Sequence, residues 1–193
     1  FRGMSMERFK DIKVLEGYGV KLRRLTEDKI ELVRKWRNDP KIQQYMEYRE
    51  YITPEMQKAW FKKIDNDNNF YFIIEYQGKE IGVINIKNVD YERKTGEPGI
   101  FIYDDACLNL DVGIRASLCQ NDFIWNVLNL EWLHGHVLKS NKRAVRMNAL
   151  FGYKLLPEQE NKELQECILT RDTALSNKKV ASFANILKKM ESL

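Results

Sequence analysis

The most informative segment of the chain is Val137-Leu138-Lys139-Ser140-Asn141-Lys142-Arg143-Ala144, with Gly152-Tyr153 beginning eight residues after Ala144. Residues 132–138 are mostly apolar and predict a strand. The side-chain oxygen of Ser140 or Asn141 is placed to cap the helix that follows. Gly152 is placed to end that helix before a strand over residues 153–156. The stretch therefore predicts a strand, a capped helix and a second strand in direct succession.

The N-terminal third carries a second pattern, Trp36-Arg37-Asn38-Asp39-Pro40-Lys41-Ile42. Residues 18–25 alternate as a strand, and Thr26 is predicted to cap the helix that ends at this pattern. Pro40 stops that helix because the residue before a proline resists the α conformation. A second helix is predicted to begin at Thr53-Pro54. Its expected apolar face consists of Met56, Trp60, Phe61 and Ile64.

The remaining segments predict a mixed α+β architecture. Residues 70–76 and 81–89 predict a hairpin that turns at Gly78, and a charged loop over 90–97 leads to a short strand at 99–103. A helix is expected over 116–130, a closing strand near 164–169, and an amphipathic final helix. The apolar face of that last helix is Val180, Phe183, Ile186, Leu187 and Met190. The strands at 99–103 and 132–138 are joined by a helix, which predicts that they run parallel.

Composition narrows the class of protein. The chain has 193 residues and a formal net charge of +4, with no basic tract of the kind that binds nucleic acid. Three cysteines, Cys107, Cys119 and Cys167, form no CxxC pair and leave one unpaired, so we expect a reducing cytoplasm. No apolar run reaches the length of a membrane span. We therefore expect no nucleic-acid partner and no membrane partner. Phe1-Arg2-Gly3 ahead of Met4 is interpreted as a remnant of expression.

The order of these motifs over residues 20–153 resembles the GNAT N-acetyltransferases. Within them, the Trp36-Arg37-Asn38 and Lys139-Ser140-Asn141 motifs resemble the amino-sugar N-acetyltransferases of pseudaminic acid biosynthesis. The resemblance implies a single GNAT domain over residues 1–193. Its central, mostly antiparallel sheet has splayed fourth and fifth strands and is flanked by helices. It implies transfer of an acetyl group from acetyl-CoA to a primary amine, with a nucleotide-linked amino sugar as the small-molecule acceptor.

Two other functions stay open at this point. The tryptophan-arginine-asparagine triplet also occurs in N-terminal acetyltransferases of the ribosomal-protein type. A non-catalytic acyl-CoA-binding module is the third alternative, because two positions depart from the family pattern. A homodimer is compatible with the sequence, although neither composition nor periodicity reports the oligomeric state.

The first departure lies in the phosphate-binding segment, Asp111-Val112-Gly113-Ile114-Arg115-Ala116. Backbone amides at the start of a helix favour a bound dianion, and small residues let the backbone approach it. Only Gly113 is retained here, and Asp111 or Arg115 stands where a small residue belongs. A simple turn glycine is the alternative. The resemblance assigns cofactor binding to Val112, Gly113, Ile114, Arg115, Asn141 and Arg143.

The second departure lies in the catalytic acid. The family resemblance implies a tyrosine seven residues after the helix-capping asparagine, and here that position is Asn148. An amide cannot give up a proton at neutral pH. For the base, Glu97 matches a carboxylate position of the family, while His134 and His136 lie on one face of a strand. The predicted catalytic set is Glu97, His136 and Asn148. We expect no metal, because no third ligand at a characteristic spacing accompanies the two histidines.

The acceptor is expected to lie against the segment after the first helix. Arg37, Asn38, Tyr45 and Tyr48 are the predicted substrate-binding residues, with Arg49 beside them. Arginine binds phosphate through two parallel hydrogen bonds, and tyrosine rings stack on sugars and bases. This combination fits a nucleotide sugar. The alternative is that Trp36 anchors the core and that the tyrosines only pack against a helix cap.

Overall fold

The computed structural model describes residues 8–191, so Phe1-Arg2-Gly3 lies outside the described residues. The strands are β1 (Val14–Gly17), β2 (Val20–Arg24), β3 (Phe70–Tyr76), β4 (Lys79–Asp90), β5 (Thr95–Ile102), β6 (Trp132–Leu138), β7 (Lys154–Leu155) and β8 (Leu164–Thr170). They form one sheet in the order β1-β2-β3-β4-β5-β6-β8-β7. Neighbouring strands run antiparallel except β5 and β6, which run parallel as expected.

The helices are α1 (Ile30–Asn38), α2 (Pro40–Gln43), α3 (Pro54–Ile64), α4 (Val112–Asn126), α5 (Lys142–Phe151), α6 (Arg171–Leu175) and α7 (Lys178–Glu191). Two short 3-10 turns, Glu27–Lys29 and Asp105–Cys107, precede α1 and α4. Among the helices within residues 8–191, none combines the length and apolar character that crossing a bilayer requires.

Helices cover both faces of the sheet. On one face, Phe70 and Phe72 of β3 pack edge-on against Phe123 of α4 in the larger apolar cluster. On the other face, Val33 and Trp36 of α1 pack in a smaller cluster with Ile73 and Val83. Strand residues alternate between the two faces, so Phe72 and Ile73 enter different cores. Apolar clusters therefore pack against both faces of β3.

The sheet divides between β5 and β6. Only two ladder pairs join these strands, Thr95 with Trp132 and Gly96 with Leu133. Beyond them β5 keeps its pairing with β4, and β6 pairs with β8 along all of its length. The facing edges of β5 and β6 are therefore left without ladder partners in their second halves. This confirms the expected splay.

Two elements predicted from the sequence have the wrong limits. The charged loop expected over residues 90–97 is only a tight turn over residues 91–94, in which the Asp90 carboxylate accepts hydrogen bonds from the Glu92 and Arg93 amides at 3.0 and 2.9 Å. Strand β5 therefore starts at Thr95, and Glu97 lies inside it. Helix α4 begins at Val112 rather than at residue 116, and it ends at Asn126 rather than at residue 130.

Three predicted helix features have mixed outcomes. Thr53 caps α3 as expected, accepting a hydrogen bond from the Met56 amide at 3.1 Å. Thr26 makes no capping bond to the backbone, because its hydroxyl donates to the Asp28 carboxylate instead. The expected apolar face of α3 is wrong at its centre, since the fully buried residue of that helix is Gln57. Strand β1 and helices α2 and α6 were not predicted.

Candidate active site

A cavity of about 500 Å³ opens where β5 and β6 diverge. Its walls come from both halves of the sheet and from the helices that cross the split. The lining includes Gly99, Ile100 and Phe101 of β5, Gly135, His136 and Val137 of β6, Gln120 and Asn121 of α4, and Ala144, Met147 and Asn148 of α5. The N-terminal side adds Arg37, Trp60, Tyr71 and the segment around Tyr45 and Tyr48. The cavity thus runs continuously from the strand split to the first helices.

The starts of α4 and α5 lie side by side, and Asn141 and Ala144 at the start of α5 line the cavity. Asn141 caps α5 as predicted, accepting a hydrogen bond from the Ala144 amide at 3.3 Å. Arg143 reaches across to the Asn109 side chain ahead of α4, at 3.4 Å. A Cβ atom placed on Gly113 would lie 3.5 Å from the Met147 sulfur, so the two helices are in close contact there. The first-turn amides of α4 lack partners within that helix and suit an anion.

The Arg115 side chain is held by contacts within the fold. Its guanidinium donates to the Asp111 carboxylate at 2.7 Å and to the Tyr18 carbonyl at 2.9 Å. Its backbone amide donates to the Asp111 carbonyl. The geometry therefore does not support the predicted phosphate contact of Arg115, and it gives that residue a role in the fold. The same ion pair offsets the charge of Asp111, which removes the repulsion expected from it.

Four titratable side chains from three adjacent strands meet on one face of the sheet. His134 and His136 of β6 lie between Glu97 of β5 and Glu166 of β8. The Glu166 carboxylate is 3.0 Å from Nε2 of His134 and 3.6 Å from Nε2 of His136. The Glu97 carboxylate is 3.8 Å from Nδ1 of His136. Sheet register therefore brings together residues that are distant in sequence.

The Glu97 carboxylate is held from its other side by Asn88. The Asn88 amide donates to Oε2 of Glu97, which leaves Oε1 directed towards His136. Asn88 has a φ of 50° and lies where the β4 register shifts against β5 between Lys87 and Asp90. A bulge of this kind re-aims side chains near a site. Here it turns Asn88 onto the carboxylate.

Asn148 and Tyr153 line the cavity on its α5 side. Asn148 lies near Cys167, with its amide nitrogen 3.9 Å from the sulfur. The Tyr153 ring lies over Gly135, since a Cβ atom there would be 3.3 Å from Cε1 of the ring. Burial raises the pKa of the Tyr153 hydroxyl. Within residues 8–191 that hydroxyl has no hydrogen-bond partner.

Arg37 lines the opposite end of the cavity. Its guanidinium lies 5.9 Å from the centre of the Trp60 ring. Burial lowers the pKa of Arg37, and the neighbouring Tyr71 acts in the opposite direction. Across residues 8–191 the guanidinium donates no hydrogen bond and joins no ion pair. The cavity therefore contains a largely desolvated, unpaired positive charge.

Asn38 holds the segment that overhangs the cavity. Its side-chain amide donates to the Ile52 carbonyl and accepts from the Ile52 amide, both at 2.9 Å. Tyr45 and Tyr48 in the held segment line the cavity and are 43% exposed. Arg49 donates to the Met46 carbonyl at 3.0 Å and does not line the cavity. The geometry thus gives Asn38 a positioning role, and it leaves the rings of Tyr45 and Tyr48 available to a ligand.

The sequence profile described as "Acetyltransferase (GNAT) domain" matches residues 20–154, which is more than half of the chain and runs from the start of β2 to the start of β7. The chain belongs to the GNAT acetyltransferase family. It is therefore an acetyl-CoA-dependent N-acetyltransferase.

Three comparisons show which proteins this GNAT enzyme is similar to. The acetyltransferase PseH of Campylobacter jejuni subsp. jejuni strain 81-176 is 31% identical over 135 residues, which cover 66% of this chain and 80% of PseH. The crystal structure of Campylobacter jejuni N-acetyltransferase PseH aligns with a TM-score of 0.59 and 23% identity, covering 79% and 99% of the two chains. Spermidine N-acetyltransferase from Vibrio cholerae, solved with CoA and spermine, aligns with a TM-score of 0.70 and 17% identity, covering 81% and 98%.

The residues present at the split fit acetyl-CoA. The unpaired edges of β5 and β6 offer backbone groups to the amides of a pantetheine arm. The start of α4 offers amides for phosphates, and Arg143 lies beside it. Of the predicted cofactor residues, Val112, Gly113, Ile114, Asn141 and Arg143 thus remain predictions with compatible placement.

Sequence reasoning did not identify four residues of the site. Gln57, Gln120 and Tyr153 line the cavity, and Glu166 lies beside the two histidines. Gln57 and Gln120 are buried, and each donates its amide to a backbone carbonyl, of Ile30 and Asn85 respectively. The side-chain carbonyl of each is buried without a partner within the described residues. A glutamine inside an otherwise apolar helical face is the one sequence signal that indicates such a residue. Glu166 can be identified only from the pairing register of β6 with β8.

Proposed function

We propose that this N-acetyltransferase acts on a primary amine of a nucleotide-linked amino sugar. The observation that carries the proposal is Arg37, the unpaired guanidinium in the acceptor end of the cavity. Desolvating a charge is costly unless a partner of opposite sign compensates it. A phosphate of the acceptor supplies that partner through charge-assisted hydrogen bonds.

The surroundings of Arg37 suit the rest of such an acceptor. Trp60 and Tyr71 present aromatic faces beside it, with ring centres 4.9 Å apart, and the Tyr45 and Tyr48 rings lie in the overhanging segment. Aromatic faces stack on bases and sugars. The acceptor end therefore offers complementary groups to a phosphate and to an aromatic or sugar ring.

We place the reacting amine of the acceptor against Glu97 and His136, away from Arg37. Both side chains reach the cavity, and their carboxylate oxygen and imidazole nitrogen are 3.8 Å apart. A neutral imidazole accepts the proton that the ammonium must lose before its nitrogen can attack. Glu97 stabilises the charged imidazole that results. We therefore assign the base to His136, with Glu97 as its partner.

Acetyl-CoA supplies the thioester whose carbonyl carbon the amine attacks. The unpaired N–H groups along the split sheet stabilise the negative charge that develops on the carbonyl oxygen. A C–N bond forms, the C–S bond breaks, and the departing thiolate takes a proton. Tyr153 is the proton donor in our assignment, because its side chain lines the cavity and its hydroxyl has no hydrogen-bond partner within residues 8–191. Asn148 beside it donates a hydrogen bond to the sulfur and keeps its own protons.

The test compares Arg37→Ala with the wild type on a nucleotide-linked amino sugar. Loss of one charge-assisted phosphate contact costs about 1.5–3 kcal/mol, or roughly a tenfold to hundredfold rise in KM for the acceptor. The KM for acetyl-CoA should stay within about twofold. Lys35→Ala is the matched control, since it removes one positive charge from the same helix at an exposed position outside the cavity. Equal effects of the two variants would contradict the proposal.

A polyamine acceptor is the second candidate. It is favoured by the likeness to spermidine N-acetyltransferase from Vibrio cholerae, and Glu47 and Glu97 in the cavity lining would attract a polycation. Under this alternative Arg37→Ala improves turnover of spermidine, because a repulsive charge is removed. A screen of UDP- and dTDP-linked amino sugars, spermidine and short peptides decides the acceptor class. Activity confined to spermidine or to peptides would defeat the sugar assignment.

A further inference from the structure

We infer that Glu97, His134 and His136 form a binding site for a divalent transition metal ion, and that occupancy of this site switches the enzyme off. Each of the three residues offers one ligand atom, and these three atoms all lie within 4.8 Å of one another. Two histidines and one glutamate are the protein ligands of a common type of open zinc site. Sequence spacing predicts no third ligand for the histidine pair, but strand register places Glu97 beside it.

The separations are close to those that zinc requires. Tetrahedral bonds of about 2.0–2.2 Å place neighbouring donor atoms about 3.3–3.6 Å apart. Nδ1 of His136 and Oε1 of Glu97 are 3.8 Å apart. Closing the widest separation in the group requires side-chain movement of about 1.5 Å at most, and the ligands stand on strands that are fixed by their ladders.

The site has outer partners that orient its ligands. Asn88 donates to the second oxygen of Glu97 and leaves Oε1 available to an ion. The Glu166 carboxylate lies 3.0 Å from Nε2 of His134 and 3.6 Å from Nε2 of His136. Carboxylates and amides in such positions fix the ring orientation of ligating histidines and hold ligating carboxylates. Glu166 is thus placed to orient the imidazoles.

Metal binding and acetyl transfer exclude each other at this site. A metal ion occupies the imidazole lone pair with which His136 would accept the proton of the amine. It also places positive charge where the acceptor ammonium should lie. The inhibition rests on the proposed role of His136, whereas the binding itself does not.

The binding experiment is calorimetric titration of Zn²⁺ into untagged, chelator-stripped protein at neutral pH. Removing the tag matters because the chain has only two histidines, and a polyhistidine tag would mask them. We expect one saturable site, with at least tenfold weaker binding in His134→Gln, His136→Gln and Glu97→Gln. Asn88→Ala should weaken it about tenfold.

Two control variants should retain the wild-type affinity. Glu131→Gln removes an exposed carboxylate just before β6, and Cys107→Ser removes a thiol outside the cluster. Circular dichroism confirms that each variant is folded. No saturable binding up to millimolar Zn²⁺, or affinity unchanged in a folded His136→Gln or Glu97→Gln variant, would overturn the metal site.

The inhibition is measured separately, with acetylated product quantified by chromatography because the thiol of released CoA binds zinc. Zn²⁺ should inhibit competitively with the amine acceptor, and a chelator should restore the rate. Binding without inhibition would leave the metal site standing and would count against the proposed role of His136 as the base. Inhibition that persists in His134→Gln would overturn the link between this site and the loss of activity.

Discussion

At the scale of single residues, the position of Tyr153 bears most directly on catalysis. Its side chain lines the cavity, and its hydroxyl has no hydrogen-bond partner within residues 8–191. Burial raises the pKa of that hydroxyl, so it stays protonated at neutral pH. The adjacent Asn148 occupies the position at which the family resemblance implies an acid. A proton donor between α5 and β7 can therefore take the place of one on the helix itself.

Tyr153→Phe should lower kcat by about tenfold to a hundredfold, the low end for acid catalysis, because a thiolate leaves without full protonation. The KM for acetyl-CoA should change little. In the double variant Tyr153→Phe/Asn148→Tyr, the restored tyrosine should recover part of the lost rate. Tyr51→Phe serves as the control, since that exposed hydroxyl pairs with Arg34 outside the cavity. An unchanged kcat in Tyr153→Phe would exclude Tyr153 as the donor.

Residue-level predictions succeeded where they depended on local spacing. The cap at Asn141 and the shared face of the histidines follow from helix and strand periods alone. The contribution of Glu166 depends on the pairing of β6 with β8, which periodicity does not report. The contact of the Arg115 guanidinium with the Tyr18 carbonyl could not be predicted for a related reason, since Tyr18 is 97 residues away in the chain. Tertiary contacts at that separation leave no mark in local sequence.

At the scale of elements, the sequence predicted the order of strands and helices around the split but not all of their limits. β5 was predicted too short because Thr95 to Glu97 read as a charged loop, although this part forms the only ladder pairs with β6. The start of α4 was placed too late because Gly113 was taken for a residue ahead of the helix. Gly113 is instead in the first turn, where its amide has no partner within the helix.

Substitutions at Gly113 test whether that turn holds the phosphates. A methyl group there makes an ordinary contact of 3.5 Å with Met147, so Gly113→Ala should fold and bind acetyl-CoA within a few-fold of the wild type. Gly113→Val adds atoms that crowd both Met147 and the approaching phosphates. We expect about tenfold weaker binding by calorimetry, equivalent to roughly 1.4 kcal/mol. Unchanged affinity in a folded Gly113→Val variant would place the phosphates elsewhere.

At the scale of the whole molecule, the described fold consists of two half-sheets that meet at a narrow junction. β1 to β5 form one half and β6 to β8 the other, and two ladder pairs join them. The helices α4 and α5 contact each other near their N-terminal turns, and residues of both helices line the cavity at the split. A ligand that fills the gap therefore contacts both halves. Binding of acetyl-CoA should stabilise the junction more than either half.

Hydrogen exchange and thermal unfolding measure this effect together. A ligand at a hundred times its Kd stabilises the native state by about 2.7 kcal/mol, which should raise Tm by roughly 5–10 °C. With acetyl-CoA bound, protection at short exchange times should increase in β5, β6 and the first turns of α4 and α5. Peptides from β2 and β3 should change only at long times, because their amides already pair within the first half-sheet. Adenosine monophosphate lacks the pantetheine arm and should leave β5 and β6 unprotected. Protection that spares both strands while Tm still rises would show that acetyl-CoA binds outside the split.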